Sequence, residues 1–227
     1  VILTRVLGPK ARGIYALAAL LPSLIVTIGN LGIGPATVYY VARGNFRRQK
    51  ILGNNILLSV GIGSIGVLVG LVVVLFFRET VFPGVSSGYL FLALTFVPVE
   101  IFFSYINSIL LGAQCLKEFN YIQIAHSAFF LSFIAFAMIG FKAGVIGAII
   151  AGLISWLIVD ALVFRLAKKV AGGVDFNLNT SYMKRAATYG VQAHLSNILG
   201  FLNYRVDMFL VNGFLGPVAV GLYAVGV

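Results

Sequence analysis

Four charged side chains interrupt stretches that are otherwise almost entirely apolar: Glu100, Asp160, Arg205 and Asp207. A charge is expensive in an apolar environment, so such groups usually face a wet cavity, a partner charge or the interior of a helix bundle. A carboxylate in that position can exchange a proton or bind a cation, and a guanidinium can bind phosphate through parallel hydrogen bonds. These residues are therefore the first candidates for a transport or binding function.

Glu100 begins a polar stripe on one predicted helix. At about 100° per residue, Glu100, Ser104, Asn107 and Gln114 fall within roughly 80° of one helix face. We expect this stripe to point into the bundle, which makes Glu100 and Asn107 candidate substrate-binding residues. The alternative interpretation is structural, with Glu100 as a hydrogen-bonded packing group near Pro98.

The stretch 185–214 carries two polar stripes on nearly opposite sides of one helix. The first includes Tyr189, Gln192, Asn203 and Asp207, and the second includes His194, Arg205 and Asn212. One stripe is expected to line a cavity and the other to pack on neighbouring helices, and the pattern does not decide between them. Because a planar guanidinium suits phosphate, we favour a cavity-facing Arg205, with Gln192, Asn203 and Asp207 as further candidate ligands of a substrate. The alternative is that Arg205 anchors the helix at the membrane interface.

Further candidates lie at the ends of the first long apolar stretch. Arg12 and Arg43 stand at its borders, and Arg43 belongs to a basic cluster with Arg47, Arg48 and Lys50. Such a cluster orients a membrane protein and binds lipid phosphate, and the sharper alternative is that it loads an anionic lipid headgroup. Asn30 flanks a Gly-Pro break, where a broken helix could offer backbone groups to a polar substrate. A simple kink explains the same pattern.

The composition places these residues in a membrane protein. The chain is 60% hydrophobic and 10% charged, with a mean hydropathy of +1.04, whereas soluble domains carry about 25% charged residues. The net charge of +10 is expected to reflect basic loops that orient the helices, so no nucleic-acid partner is predicted. The single cysteine, Cys115, excludes an intrachain disulfide within this sequence.

The sequence contains no motif of a catalytic or cofactor site. It has no Gly-x-x-x-x-Gly-Lys-Ser/Thr phosphate loop, no His-Glu-x-x-His pair and no plausible Ser/His/Asp set. We therefore predict that the protein is not an enzyme and uses no cofactor or metal. Energy for transport is expected to come from ion gradients, substrate gradients or consumption of the product.

The apolar stretches predict about six membrane-spanning helices, at 13–42, 51–77, 88–114, 119–141, 143–166 and 185–214. Residues 1–7 are expected to end an earlier helix, and 217–227 to begin a later one. Pro35 predicts a kink near Ile33, and Gly66 with Gly70 predicts a close helix contact. The polar stretch 167–184 is interpreted as a linker between a first lobe, 1–166, and the start of a second lobe, 185–227.

The positions of lysine and arginine predict the orientation of these helices. One alternate set of connections holds the larger number of basic residues: Arg43, Arg47, Arg48, Lys50, Lys117, Arg165, Lys168, Lys169, Lys184 and Arg185. The other set holds Arg5, Lys10, Arg12, Arg78 and Lys142. The first set is expected to be cytoplasmic, and with it the linker 167–184.

A ten-residue segment recurs 208 residues later without a gap. Leu7–Ala16 reads LGPKARGIYA and Leu215–Ala224 reads LGPVAVGLYA. Such a repeat, separated by an even number of helices, predicts a transporter built from two halves that run in the same direction. Because the first copy lies near residue 1 and the second near residue 227, we expect the chain to be a fragment.

These segments resemble a known family. Residues 5–16 and the following Asn-Leu-Gly-Ile-Gly-Pro-Ala at 30–36 are similar to the first outer turn of polysaccharide exporters, and 205–224 is similar to the start of their second half. The family is the multidrug/oligosaccharidyl-lipid/polysaccharide exporter superfamily, in its O-antigen flippase-like branch. The resemblance implies an all-α, two-lobed transmembrane bundle of 12 to 14 helices that works by alternating access in the cytoplasmic membrane.

The same resemblance implies the substrate. It is an undecaprenyl-pyrophosphate-linked oligosaccharide, whose pyrophosphate meets cationic residues in the cavity; Arg205 fits that role best, and Arg12 and Arg43 fit less well. Membrane lipids and other polysaccharide-assembly membrane proteins are further expected partners. A cation-coupled drug exporter, which needs Glu100 or Asp160, is the alternative, and a membrane enzyme of lipid-linked sugar assembly is a remote one.

Overall fold

The computed structural model describes residues 2–226. The side chains of residues 2–5, 193, 196, 197, 204, 225 and 226 lie outside that description. Arg5, from the smaller set of basic residues, is one of them. Over the described range the regular elements are α-helices and one π-helical turn, Phe136–Gly140. The helices are α1 Ile2–Gly29, α2 Ile33–Arg43, α3 Arg48–Phe76, α4 Arg78–Val81, α5 Ser87–Leu94, α6 Phe96–Gly112, α7 Leu116–Ala135, α8 Gly144–Ala171 and α9 Thr180–Gly226.

Within residues 2–226, six helical segments are long and apolar enough to cross a membrane. They are Val6–Gly29, Arg48–Phe76, Ser87–Gly112, Leu116–Gly140, Gly144–Ala171 and Ile198–Ala224. The predicted all-α polytopic bundle is confirmed, and four of the predicted spans agree closely with these segments. In α9 the apolar segment begins later than the predicted 185–214, because Lys184, Arg185 and His194 occupy the first turns of that helix.

The predicted single span 13–42 is wrong in one respect, since it is two helices rather than one kinked helix. The chain leaves helical geometry at residues 30–32, where Leu31 and Gly32 have φ values of 50° and 67°. Two successive left-handed residues end α1 and redirect the chain, and α2 then begins at Ile33 with Pro35 in its first turn. Proline is compatible with a first turn, so the break lies just before the position where the kink was predicted.

The two copies of the repeat share one backbone conformation. Gly8 has φ 71° and ψ 172°, and Gly216 has φ 77° and ψ 179°, so each interrupts a long helix at the same point of the repeat. Proline disfavours helical geometry in the residue before it, and the conformation adopted here is accessible essentially only to glycine. Pro9 and Pro217 then start new helical segments. The sequence repeat is therefore also a structural repeat.

Small residues bring α3 close to its neighbours, as Gly66 and Gly70 predicted. A methyl group on Gly66 would lie 2.8 Å from Val97 Cγ1 and 2.9 Å from Ile25 Cγ2. Gly70 faces Leu94 and Ile25 in the same way. These contacts fix α3 against α1 and the α5–α6 segment, whose interruption at Thr95 precedes Pro98 in the first turn of α6.

The connection between α8 and α9 is shorter than the predicted linker. Helix α8 continues to Ala171 and α9 begins at Thr180, which leaves residues 172–179, here called the strap. The strap follows the start of α3: Asp175 N donates to Gln49 O at 3.0 Å, and Asn179 N donates to Asn54 Oδ1 at 2.9 Å. The strap therefore fixes the start of α9 beside α3, and the division into lobes stays a prediction.

Candidate functional site

The two copies of the repeat cross each other at a pair of glycines. A side chain on Gly13 would overlap the carbonyl oxygen of Pro217, and a side chain on Gly221 would overlap that of Pro9. The contact is reciprocal, so the helices that follow Gly8 and Gly216 meet around a local twofold axis. We call this contact the glycine crossing. It brings α1 and the last part of α9 together backbone against backbone.

A second junction joins the same two parts of the chain near the strap. Gly32 and Gly190 are in backbone contact, and His194 Nε2 lies 3.0 Å from Ile28 O. Beyond them, Tyr182 from α9 enters a buried polar group with Thr37 and Asn55. We call the set Gly32, Thr37, Asn55, Tyr182 and Gly190 the tyrosine junction. Helix α9 is thus held against α1–α2 at two separate places.

A cavity of about 750 Å³ lies along α1 and α9 and is completed by α6 and α7. Its polar wall contains Arg12, Tyr15 and Ser23 from α1, Glu100 from α6 and Arg205 from α9. Apolar groups complete it: Ala16, Ala19, Leu20, Phe130, Leu131, Ile134, Met208 and Ala224. Three charged residues predicted from the sequence therefore share one cavity, although they are far apart in the chain.

The charged groups of this cavity are presented by different contacts. Arg12 is partly buried at the glycine crossing, where its guanidinium donates to Ala224 O at 2.6 Å. Arg205 is exposed, and its Nη1 lies 3.6 Å from Met208 Sδ. Within the described part of the chain, no ion pair joins Glu100 to either arginine. The cavity thus presents two guanidinium groups from two helices, α1 and α9, and one carboxylate from a third, α6.

Asp207 and the residues predicted to share its stripe do not line this cavity. Asp207 Oδ2 accepts a hydrogen bond from Tyr223, and Oδ1 accepts one from Met208 N at 2.7 Å. Asp207 therefore connects the two segments of α9 on either side of Gly216. Gln192 and Asn203 are exposed on α9.

The second stripe of α9 is divided between cavity and packing. Arg205 lines the cavity, whereas His194 and Asn212 are buried against neighbouring helices. Asn212 Nδ2 lies 3.5 Å from Pro83 O, and His194 contacts the end of α1. A stripe wider than one helix contact cannot face a single environment, which is why residues of one stripe separate here.

The remaining candidates lie outside the large cavity. Asn30 Nδ2 donates to Ser104 Oγ at 2.9 Å, so the polar stripe of α6 turns from the cavity at Glu100 to the helix break. Asn107, farther along that stripe, is buried. Arg43 is exposed at the end of α2, where it donates to the Tyr39 hydroxyl and lies over its ring.

Asn55 and Tyr182 of the tyrosine junction were not predicted from the sequence. Asn55 Nδ2 donates to Thr37 Oγ1 at 2.9 Å, and the Tyr182 hydroxyl donates to Asn55 Oδ1 at 2.8 Å. Burial raises the pKa of Tyr182 to about 12, outweighing the hydrogen bonds with Thr37 and Asn55, which act in the opposite direction. Two asparagines in the apolar run 51–77 were the available signal, since buried amides require partners.

Asp160 lies in a second cavity, of about 400 Å³, between α3, α6 and α8. Ser59, Pro98 and Phe102 form part of its wall, and the carboxyl group is buried. Its Oδ1 has no hydrogen-bond partner among the described residues. The two carboxylates that the sequence offered for cation coupling thus line different cavities.

A family profile described as polysaccharide biosynthesis protein matches residues 1–227. Searches of curated proteins and of solved structures found no match.

Proposed function

We propose, from the premise that the chain belongs to the polysaccharide biosynthesis protein family, that it flips polyprenyl-pyrophosphate-linked oligosaccharides across the cytoplasmic membrane. Membership gives the protein a role in polysaccharide synthesis or transport, and the apolar helices make it a multi-pass membrane protein. The proposal adds three things: the lipid-linked substrate, alternating access as the mechanism, and the cytoplasmic membrane as the location.

The observation that carries this proposal is the placement of Arg12 of α1 and Arg205 of α9 on the wall of one cavity. A pyrophosphate needs cationic donors, and guanidinium groups can bind its oxygens in pairs. A cavity of about 750 Å³ falls within the range of about 300–1,000 Å³ that is usual for small-molecule sites. It suits a hydrated headgroup, while a polyprenyl tail can remain in lipid.

Replacing Arg205 tests the proposal. The full-length protein is reconstituted with fluorescent undecaprenyl-pyrophosphate oligosaccharide, and flipping is followed by access of an external quencher to the headgroup. We expect Arg205→Ala to abolish flipping and Arg205→Lys to retain part of it, because lysine keeps the charge but loses the planar donor pair.

Arg78→Ala is the matched control, because Arg78 pairs with Glu79 away from the cavity. This variant should flip the lipid as fast as the unmodified protein does. Unchanged flipping by a folded Arg205→Ala protein would exclude this role for the cavity.

A cation-coupled exporter is the second candidate, and the burial of Asp160 beside its own cavity supports it. A buried carboxyl group with an unpartnered oxygen can exchange a proton or a cation with such a space. This function predicts that Asp160→Asn abolishes gradient-driven drug efflux, whereas Glu118→Gln, at an exposed position of α7, leaves it intact. Loss of lipid flipping in Arg205→Ala with no drug efflux in any variant would rule it out.

A further inference from the structure

A smaller cavity of about 220 Å³ is lined by Glu100 but by neither Arg12 nor Arg205. Its wall is formed by Tyr15 of α1, Phe96 and Glu100 of α6, His126 and Phe130 of α7, and Trp156 of α8. Tyr15, Glu100 and Phe130 also line the large cavity, so the two spaces adjoin at Glu100. Glu100 is thus the carboxylate between an arginine-lined space and an aromatic one.

The walls of this smaller space have the chemistry of a cation site. Aromatic rings carry partial negative charge on their faces and attract cations within about 6 Å of the ring centre. Four such rings converge here from α1, α6, α7 and α8, together with a carboxylate. No lysine or arginine is among the described residues of its lining. An anion would find no lysine or arginine to pair with among these described lining residues.

Glu100 and His126 leave acceptors available to such a ligand. No described residue forms an ion pair with Glu100, and His126 Nε2 is buried without a hydrogen-bond partner among the described residues. The His126 ring is held in place by Trp156, with ring centres 4.0 Å apart. A bound ammonium would provide Glu100 with the counter-charge that the described chain does not place beside it.

We infer that this smaller cavity is a binding site for a small organic ammonium group. At about 220 Å³ it lies below the usual range of about 300–1,000 Å³ for small-molecule sites, so it suits a group of a few carbon atoms. The ammonium belongs either to a free small molecule or to a lipid headgroup. The inference goes beyond lipid-oligosaccharide flipping, because a pyrophosphate is bound by the arginines and would be repelled by the carboxylate of this aromatic cavity.

Trp156 provides a direct measurement, because it is the single tryptophan of this sequence and lines the cavity. The full-length protein, with any tryptophan outside these residues replaced by phenylalanine, is placed in phosphatidylglycerol nanodiscs at about pH 8, above the ordinary range of histidine. Choline and its uncharged isostere 3,3-dimethyl-1-butanol are titrated while Trp156 fluorescence is recorded. We expect saturable choline binding and at least about tenfold weaker binding of the isostere.

Variants then locate the bound charge. Glu100→Gln should weaken choline binding by about tenfold, and Phe130→Leu by about fivefold, because each removes part of the cation's electrostatic environment. Phe129→Leu is the matched control: Phe129 packs against the core next to Phe130 but does not line the cavity. Arg205→Ala should change choline affinity by no more than about twofold. It therefore separates failure of the ammonium site from failure of the flipping proposal.

The difference in affinity between choline and its isostere tests the ammonium site even if a variant does not fold. Equal affinity for choline and its isostere, or no response of Trp156 to choline in the folded unmodified protein, would overturn the inference. Folded Glu100→Gln with unchanged choline affinity would do the same. Repeating the titration with phosphatidylethanolamine in the bilayer identifies the source: a lower apparent choline affinity supports the site with a lipid occupant, and an unchanged one supports it with a free ligand.

Discussion

The glycine crossing and the tyrosine junction both bring glycine backbones of α9 and α1–α2 into contact, but they differ in their hydrogen bonds. At the crossing, Gly13 and Gly221 let two backbones touch, and the contact depends mainly on close van der Waals packing. At the junction, Thr37, Asn55 and Tyr182 form a buried set of hydrogen bonds. Separating the crossing exposes mainly apolar surface to lipid, whereas separating the junction leaves buried polar groups without partners.

This difference indicates which end of the large cavity separates at the lower free-energy cost. The cavity extends from Arg12, at the crossing, along α1 to Ser23, on the way to the junction. We expect the crossing to part more readily, because the described hydrogen bond lost there, from Arg12 to Ala224 O, is only partly buried, whereas the junction loses several buried ones. The crossing should in turn tolerate no added atom, and the junction should be sensitive to the chemistry of its polar groups. Four predictions test that contrast.

The largest effect is expected at the crossing. In Gly13→Ala the new methyl group overlaps the backbone oxygen of Pro217, which cannot rotate away, so the two helices must separate. Overpacking of this kind costs about 1–3 kcal/mol. We expect a clearly lower melting temperature for the full-length protein in detergent.

The control for the crossing is Gly61→Ala on α3, where a methyl group meets nothing within 4 Å. Alanine at that helical position should leave the melting temperature unchanged or raise it, since it favours helix by up to about 1 kcal/mol over glycine. Equal melting temperatures for both variants would show that the crossing contributes nothing to stability.

An intermediate effect is expected at the junction. Tyr182→Phe removes the hydroxyl that donates to Asn55, which leaves a buried amide oxygen without that donor. The cost is about 1–3 kcal/mol for a buried group left unsatisfied, reduced where water can enter. Because this loss can be relieved by water and the backbone overlap cannot, we place it below Gly13→Ala.

The same residue gives the contrast a pH dependence. The pKa of Tyr182 is raised by burial from 10.0 to about 12, so the folded protein favours the protonated hydroxyl. Its contribution is therefore complete below pH 10 and is lost as the pH rises towards 12. The difference in melting temperature between the unmodified protein and Tyr182→Phe should narrow from pH 8 to pH 11. The difference for Tyr121→Phe, at an exposed position, should stay constant; a Tyr182→Phe difference that does the same would contradict the junction's role.

The sequence predicted the crossing better than the junction, and the reason is physical. Leu-Gly-Pro at 7–9 and 215–217 marks a backbone conformation that proline and glycine together enforce, and that conformation is local. The hydrogen bonds of Thr37, Asn55 and Tyr182 join residues up to 145 positions apart, so no local pattern specifies them. The positions of the helices were likewise predicted from the lengths of the apolar stretches. The complete break at 30–32 was not predicted in this way.

The candidate site shows the same limit. Arg205 and Glu100 were recognised because charges in apolar stretches are conspicuous, and the structure places them on one cavity. That Asp207 would instead accept a hydrogen bond from Tyr223 depends on the bend at Gly216, which helical periodicity ignores. The aromatic cavity was not predicted, because its aromatic residues come from four helices and look like ordinary core positions.

The smallest effect is expected in the strap, which supports the junction from outside. Gln49 Nε2 donates to Gly172 O at 2.9 Å from an exposed position, so Gln49→Ala should cost no more than about 1 kcal/mol. The backbone bond from Asp175 N to Gln49 O does not depend on that side chain and remains in the variant.

Asn54→Ala is the informative comparison: Asn54 is fully buried, donates to Asn177 O at 3.2 Å and accepts from Asn179 N at 2.9 Å. Its removal should lower the melting temperature more than Gln49→Ala and should also weaken the junction, because the strap positions Tyr182. If both variants melt like the unmodified protein, the start of α9 is held by the tyrosine junction alone.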